Sequence, residues 1–310
     1  MRTAFINKLT EMARKDEDIY LITADLGFSV FEKFREEFSN RFINVGIAEA
    51  SMIGIAAGLA LNGKKVYCYS IIPFLTMRCF EQIRVDLCYQ NLNVTLIGVG
   101  GGLSYGSQGA THHSIEDISI MRSLPNMKVI CPGDPVECKL AVEEAVKLEG
   151  PKYIRLNKNG EPIIYKKDID FSIGKAVNLR AGKDISIIAT GNMVLESIKI
   201  AENLSKKGID VKLINMHTIK PLDTNIIKEC IRETRAIFTI EEHSIIGGLG
   251  SAVSEFVAQN IYKPLLFKCY GIPDCYAEVA GSREYFRDIY GIDIKSIEND
   301  IIKRIDKNRE

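Results

Sequence analysis

The sequence lacks an excess of charge of either sign: Lys plus Arg and Asp plus Glu each number 40 in 310 residues. That balance gives no basis for nucleic acid or an anionic membrane as a bulk partner. A near-neutral surface does tolerate association with other chains. The sequence also lacks any Cys-x-x-Cys pair, and its nearest cysteine pairs, Cys131/Cys138 and Cys269/Cys275, do not have zinc-ligand spacing. The 8 cysteines sit mostly in apolar stretches such as KVYCYS and DLCYQ, so they read as buried, reduced thiols of a cytoplasmic protein. No apolar run reaches the roughly 20 residues of a membrane span. The stretch MRTAFINKLTEMARKDED reads as a charged amphipathic helix rather than a signal peptide. Tandem repeats and low-complexity segments are absent as well.

What is present is globular in character, 46% hydrophobic and 26% charged, with length for roughly two domains. Short β-branched runs alternate with helical patterns. The runs include IYLIT from Ile19, KVYCYS from Lys65, VTLIGV from Val94, KVIC from Lys128 and KYIRL from Lys152, with helical stretches expected near 48–61, 74–90 and 135–149. Such alternation predicts an α/β fold with a mainly parallel sheet. From Asn157 the periodicity loosens into Asn, Gly, Pro and charge. A second α/β series then starts at Asp184 and runs through IDVKLIN, RAIFTIEE and LLFKCYG. The expected organisation is a first domain over 1–165, a linker over 166–183 and a second domain over 184–310. Each domain should be a mainly parallel sheet flanked by helices.

Glu49 is the most informative single residue. It is the only charged residue between Arg41 and Lys64, and it opens an apolar, small-residue helix after FINVGIA. A carboxylate there is either a helix-start charge favoured by the dipole or a buried proton carrier shifted by desolvation. The segment GVGGGLSYGSQGATHHSIED, from Gly98 to Asp117, is a glycine-rich loop between a strand and a helix that can approach a ligand closely. It does not fit the dinucleotide fingerprint. His112 and His113 are adjacent and point to different sides, which suits contact with a polar ligand, or packing by His113, better than joint metal ligation. Phe74, Met77, Phe80, Ile83 and Leu87 recur at helical spacing, the pattern of a core stripe whose first aromatic could face a pocket. Arg155 closes KYIR at the end of a strand, where α/β sheets bind anions. The glycines of EEHSIIGGLGSAV could cradle an anion or simply make a tight turn. His217 and His243 have no supporting constellation.

Taken together, VGIAE, YSIIPFLTMRCFEQI, GATHHSIED, LPNMKVICPGD, IRL and EEHSIIGGLGSAV resemble, in order, the C-terminal half of transketolase and its relative 1-deoxyxylulose-phosphate synthase. The resemblance covers nearly the whole chain. It implies a pyrimidine-binding domain followed by the transketolase C-terminal domain. It also implies that Glu49 hydrogen-bonds the aminopyrimidine of thiamine diphosphate and promotes its reactive tautomer, with the cofactor as electron sink. Phe74 falls where the family stacks an aromatic on that ring, Phe80 and Met77 fall beside it, and Asp25 matches a cofactor-site aspartate. His112 matches a histidine that contacts the sugar and shuttles protons. Arg155, Arg2 and Ser29 match contacts to the substrate phosphate.

The departures fall on substrate positions. Gln108 stands where the family has an aspartate that recognises a sugar hydroxyl, Gly100 stands where transketolases have a histidine, and Met77 replaces an aromatic. The largest departure is the absence of the Gly-Asp-Gly motif and its following asparagine, which hold diphosphate and magnesium; the only Gly-Asp lies in CPGDP. The resemblance therefore implies a separate N-terminal subunit carrying that motif, self-association into an α2β2 assembly, and sugar phosphates as substrates. The alternatives are a subunit of another thiamine-diphosphate enzyme, either synthase-like or the beta subunit of a 2-oxoacid dehydrogenase, and a non-catalytic interaction subunit.

Overall fold

The computed structural model describes residues 1–158, 160–261 and 264–307. Twelve strands are described: β1 (Ile19–Thr23), β2 (Phe42–Asn44), β3 (Lys65–Ile71), β4 (Val94–Val99), β5 (Lys128–Ile130), β6 (Lys152–Leu156), β7 (Val177–Arg180), β8 (Ile185–Ala189), β9 (Val211–Asn215), β10 (Thr218–Lys220), β11 (Ala236–Ser244) and β12 (Leu266–Ile272). They form two sheets, one in the order β10-β5-β6-β4-β3-β1-β2 and one in the order β12-β11-β8-β9-β7. Every pairing is parallel except β10 with β5 and β7 with β9. The central strands read as continuous apolar runs because helices cover both faces. β4 and β6 are buried along their whole length. The α/β architecture with two mainly parallel sheets is the one expected.

Three details differ from the sequence reading. Residues 166–183 are not all linker, because Val177–Arg180 forms β7 on the edge of the second sheet. Thr218–Lys220, expected inside the second domain, crosses over as β10 and completes the first sheet. Both pieces are short and lack a clear alternation, so periodicity does not reveal them. The helical stretch near 74–90 is also broken. It runs as Ile72–Thr76, then Phe80–Gln82, then a widened π-type segment Ile83–Tyr89. Irregular turns of this kind are frequent at functional sites.

The carboxyl ends of the first sheet's parallel strands share one edge. Asp25 follows β1, Glu49 follows β2, Phe74 follows β3, the glycine-rich loop follows β4 and Lys158 follows β6. That edge is where open α/β sheets bind ligands. Glu49 begins a helix, Glu49–Leu61, that is apolar around most of its circumference. The helix buries Met52, Ile53, Ala56 and Ala57 against the core yet leaves Ile55 and Leu61 exposed.

Candidate active site

Glu49 lies in the first turn of its helix with only 2% of its side chain exposed. The partial positive charge of the helix start favours a carboxylate there. Among the described residues its side chain has one hydrogen-bond partner, Arg78, whose Nη1 donates to Oε2 at 2.8 Å. The same guanidinium lies 4.5 Å above the centroid of the Phe74 ring. Phe74 in turn meets the His112 ring edge-on at 5.3 Å between centroids. His112 faces Tyr105 at 5.8 Å, and the Lys158 ammonium sits 4.6 Å over the Tyr105 ring. Arg2 lies close enough to Tyr69 and Tyr105 for its charge to oppose the upward shift that burial imposes on both phenols. One contiguous row results, with a carboxylate and an aromatic face at one end and two cations around a tyrosine at the other.

The loop carrying His112 is held from beneath. His113 is buried, its Nε2 lies 2.9 Å from the Gly106 carbonyl oxygen, and its ring packs edge-on against Phe286 of the second domain. Glu242, also of the second domain, accepts from the Leu103 backbone N–H at 2.9 Å. Burial works to raise the Glu242 pKa, but Arg283 and Arg287 outweigh it and hold the carboxylate down at about 2. Two glycines make this close packing possible. Gly102 has φ +60°, and a Cβ there would run into the Glu242 carboxylate. Gly100 has φ +97°, and its missing Cβ leaves the space filled by the Tyr105 ring. The place of a side chain at position 100 is thus taken by Tyr105. His112 keeps Thr111 Oγ1 as its ring partner at 3.0 Å. Its pKa is lowered, first by burial and then by the neighbouring His113 and Lys158, so the neutral imidazole is favoured.

Several sequence expectations are relocated. Arg155, expected at the substrate phosphate, is buried and paired inside the protein. β6 continues through Leu156, and Arg155 lies inside it, paired with Gly98 of β4. Its Nε donates to Asp117 at 2.8 Å, and its Nη2 donates to the carbonyl oxygens of Ser114 and Glu242 and to Asp117. With the two side chains 3% and 0% exposed, Arg155 braces the loop and the second domain from within. Lys158, just past the strand end, is a cation that does lie on the row, over the Tyr105 ring.

Phe80 packs against the hydrophobic core rather than into the row, and Met77 is 37% exposed beside it. Gln108 is exposed on the outer turn of the loop, and among the described residues its side chain has no hydrogen-bond partner. Asp25 and Ser29 lie on the loop after β1, both with positive φ. Asp25 accepts from Asn44 at 3.1 Å, and the Ser29 N–H donates to Glu32. Among the described residues no hydrogen bond, ion pair or ring contact joins that loop to the row. The glycine turn at 247–250 does cradle a carboxyl group, but an internal one. The Glu241 carboxylate accepts from the N–H groups of Leu249 and Gly250 at 2.7 Å each.

Arg78, Tyr105 and Lys158 are not among the residues to which the sequence points. Arg78 does carry a readable signal, since it follows Phe74 by four positions, the spacing that brings side chains together on a helix. Tyr105 and Lys158 are placed by loop packing, which has no period to read. All eight cysteines are free, six of them buried. Among the described residues no group of three or more His, Cys, Asp or Glu is placed to hold a metal ion. No described helix is long and apolar enough to cross a membrane.

Two family descriptions match the chain, the transketolase pyrimidine-binding domain over residues 1–161 and the transketolase C-terminal domain over residues 174–297. The chain is 39% identical to one of the subunits of the apulose-4-phosphate transketolase of Actinobacillus succinogenes, over 94% of each chain. It is also 39% identical to a putative transketolase C-terminal section of Methanocaldococcus jannaschii, over 99% of this chain and 96% of the other. A solved structure described as a split-gene transketolase, an inactive beta4 tetramer, superposes with a TM-score of 0.90 at 35% identity. That match covers 98% of this chain and 97% of the other.

Proposed function

The chain belongs to the transketolase family, and from that premise we propose that it is the C-terminal subunit of a split, thiamine-diphosphate-dependent transketolase. In this reading it transfers a two-carbon ketol unit from a ketose phosphate to an aldose acceptor, together with a separate N-terminal subunit. The observation that carries the reading is the pairing of a buried carboxylate, Glu49, with the face of Phe74. A flat, nitrogen-bearing group, the Arg78 guanidinium, already bridges the two. A flat aminopyrimidine therefore fits the same pair.

When bound, the cofactor supplies the carbon acid and electron sink that ketol transfer requires. Glu49 would hold a proton at the pyrimidine ring nitrogen, and Phe74 would orient the ring. His112, with its lowered pKa, would accept and return a proton at the sugar hydroxyls. Lys158 and Arg2 would bind the anionic end of the substrate, with Ser29 and Asp25 completing substrate and cofactor contacts from the rim loop. Tyr105 and Gln108 would shape the choice of sugar.

The diphosphate and its magnesium are assigned to the partner, because the chain has no Gly-Asp-Gly motif. The relatives' names and the beta4 description of the structural neighbour support both a partner and self-association for this chain. The exposed Ile47, Ile55 and Leu61 around the Glu49 helix supply an apolar surface for such contacts. The free thiols suit a cytoplasmic setting.

The test is calorimetric titration of thiamine diphosphate and magnesium into the chain alone, then into its mixture with an N-terminal subunit, with turnover measured in each. Both binding and turnover are expected only in the mixture. Tight, magnesium-dependent binding with turnover by the chain alone would overturn the proposal.

A further inference from the structure

We propose that Arg78 is a built-in placeholder for the aminopyrimidine, closing the cofactor site until the ring displaces it. The inference rests on the reading of Glu49 and Phe74 given above, and it extends that reading to a residue with no assigned role.

Two contacts carry it. The Arg78 guanidinium donates to Glu49 Oε2 at 2.8 Å and lies over the Phe74 ring, 4.5 Å from its centroid. These are the two interactions an aminopyrimidine would make, a hydrogen bond to the buried carboxylate and a flat face on the aromatic. Both groups are planar, and each bonds Glu49 through an edge nitrogen, the guanidinium by donating an N–H and the pyrimidine ring nitrogen by accepting from the carboxyl, so the site holds one or the other.

The arrangement also explains how the chain tolerates Glu49 without a ligand. A carboxylate with 2% of its side chain exposed is costly to leave unpaired, and Arg78 supplies the missing charge and donor. The pair opens readily because the Arg78 side chain is 49% exposed, and an exposed partner is held only weakly through solvent. Its position helps. Arg78 lies in the break between the helical turns Ile72–Thr76 and Phe80–Gln82, where no regular helix fixes its direction. The ring must therefore compete with a tethered side chain, and apparent affinity falls by the fraction of time the site is closed.

The experiment uses the full chain mixed with an N-terminal subunit, and thiamine itself, which has the aminopyrimidine and no diphosphate. Its binding is measured by calorimetry to wild type, Arg78→Met, Arg78→Lys and the double variant Arg78→Met/Phe74→Ala, with circular dichroism to verify folding. Arg78→Met should bind roughly tenfold more tightly than wild type, from an exposed ion pair and a cation–π contact removed together. Arg78→Lys keeps the charge without the flat face and should fall between them. The double variant should lose the gain. If Arg78→Met binds no more tightly than wild type while loss of Phe74 still abolishes binding, the placeholder is refuted and the pyrimidine site stands. If no folded variant binds thiamine, or if loss of Phe74 changes nothing, the site assignment falls and the placeholder falls with it.

Discussion

Replacing Arg155 by alanine separates a brace from a substrate contact. The Arg155 and Asp117 side chains are 3% and 0% exposed and are joined by two hydrogen bonds, at 2.8 and 3.2 Å. Truncation leaves the Asp117 carboxylate buried with the Tyr153 hydroxyl at 2.6 Å as its remaining side-chain donor. It also strips a donor from the carbonyl oxygens of Ser114 and Glu242. Removing one member of a buried pair costs about 3–5 kcal/mol, most of it the penalty of the charge left behind. For domains of this size that corresponds to a fall of roughly 10 °C in melting temperature. Urea titration and thermal melting of the purified chain read the loss directly. The double variant Arg155→Leu/Asp117→Leu should recover much of it, since an apolar pair leaves no orphaned charge. An Arg155→Ala chain with wild-type stability would refute the reasoning. A rise in KM confined to phosphorylated sugars would then return Arg155 to the substrate site.

Glu49→Gln, assayed in the mixture with the N-terminal subunit, should lower turnover roughly 10²–10⁴-fold while the fold is kept; steady-state rates within a few-fold of wild type would remove Glu49 from the chemistry. Lys158→Ala should raise KM for phosphorylated sugars roughly tenfold, the worth of one charge-assisted bond, and leave unphosphorylated sugars nearly unchanged in the same assay. Burial pushes the Glu137 carboxyl up to about 7, above its unfolded value, despite bonds from Gly133, Asn215 and Tyr165. Its contribution to stability is therefore fully present below the unfolded pKa and is lost as pH rises through about 7. Urea midpoints should fall between pH 5.5 and 8 in the wild type and fall less in Glu137→Gln; equal slopes would show that Glu137 does not set the dependence.

The sheet architecture was legible because β3, β4, β6, β8 and β11 are buried strands whose apolar runs stand out against their neighbours. Glu49 was legible because a single charge interrupts a long neutral stretch. The burial of Arg155 was not legible, because a cation near a strand end reads alike whether it faces a cleft or is sealed under a loop. What decides between the two is Asp117, which is 38 positions away and arrives only through folding. The space under Gly100 is a similar case. A glycine in place of a larger residue suggests a hole, yet the chain fills it with Tyr105 from the same loop. Contacts formed across loops leave no period in the sequence, and those are the contacts that complete the row from Glu49 to Lys158.

The crossing of Thr218–Lys220 into the first sheet bears on how such a chain can be divided. That short segment lies antiparallel against β5 and shields what would otherwise be a bare sheet edge. A fragment ending near residue 161 would expose the edge and invite strand pairing between molecules, while the remaining piece would carry an orphaned strand. The two lobes are therefore tied through a shared sheet rather than merely packed side by side. A break between its lobes would sever a hydrogen-bonded ladder.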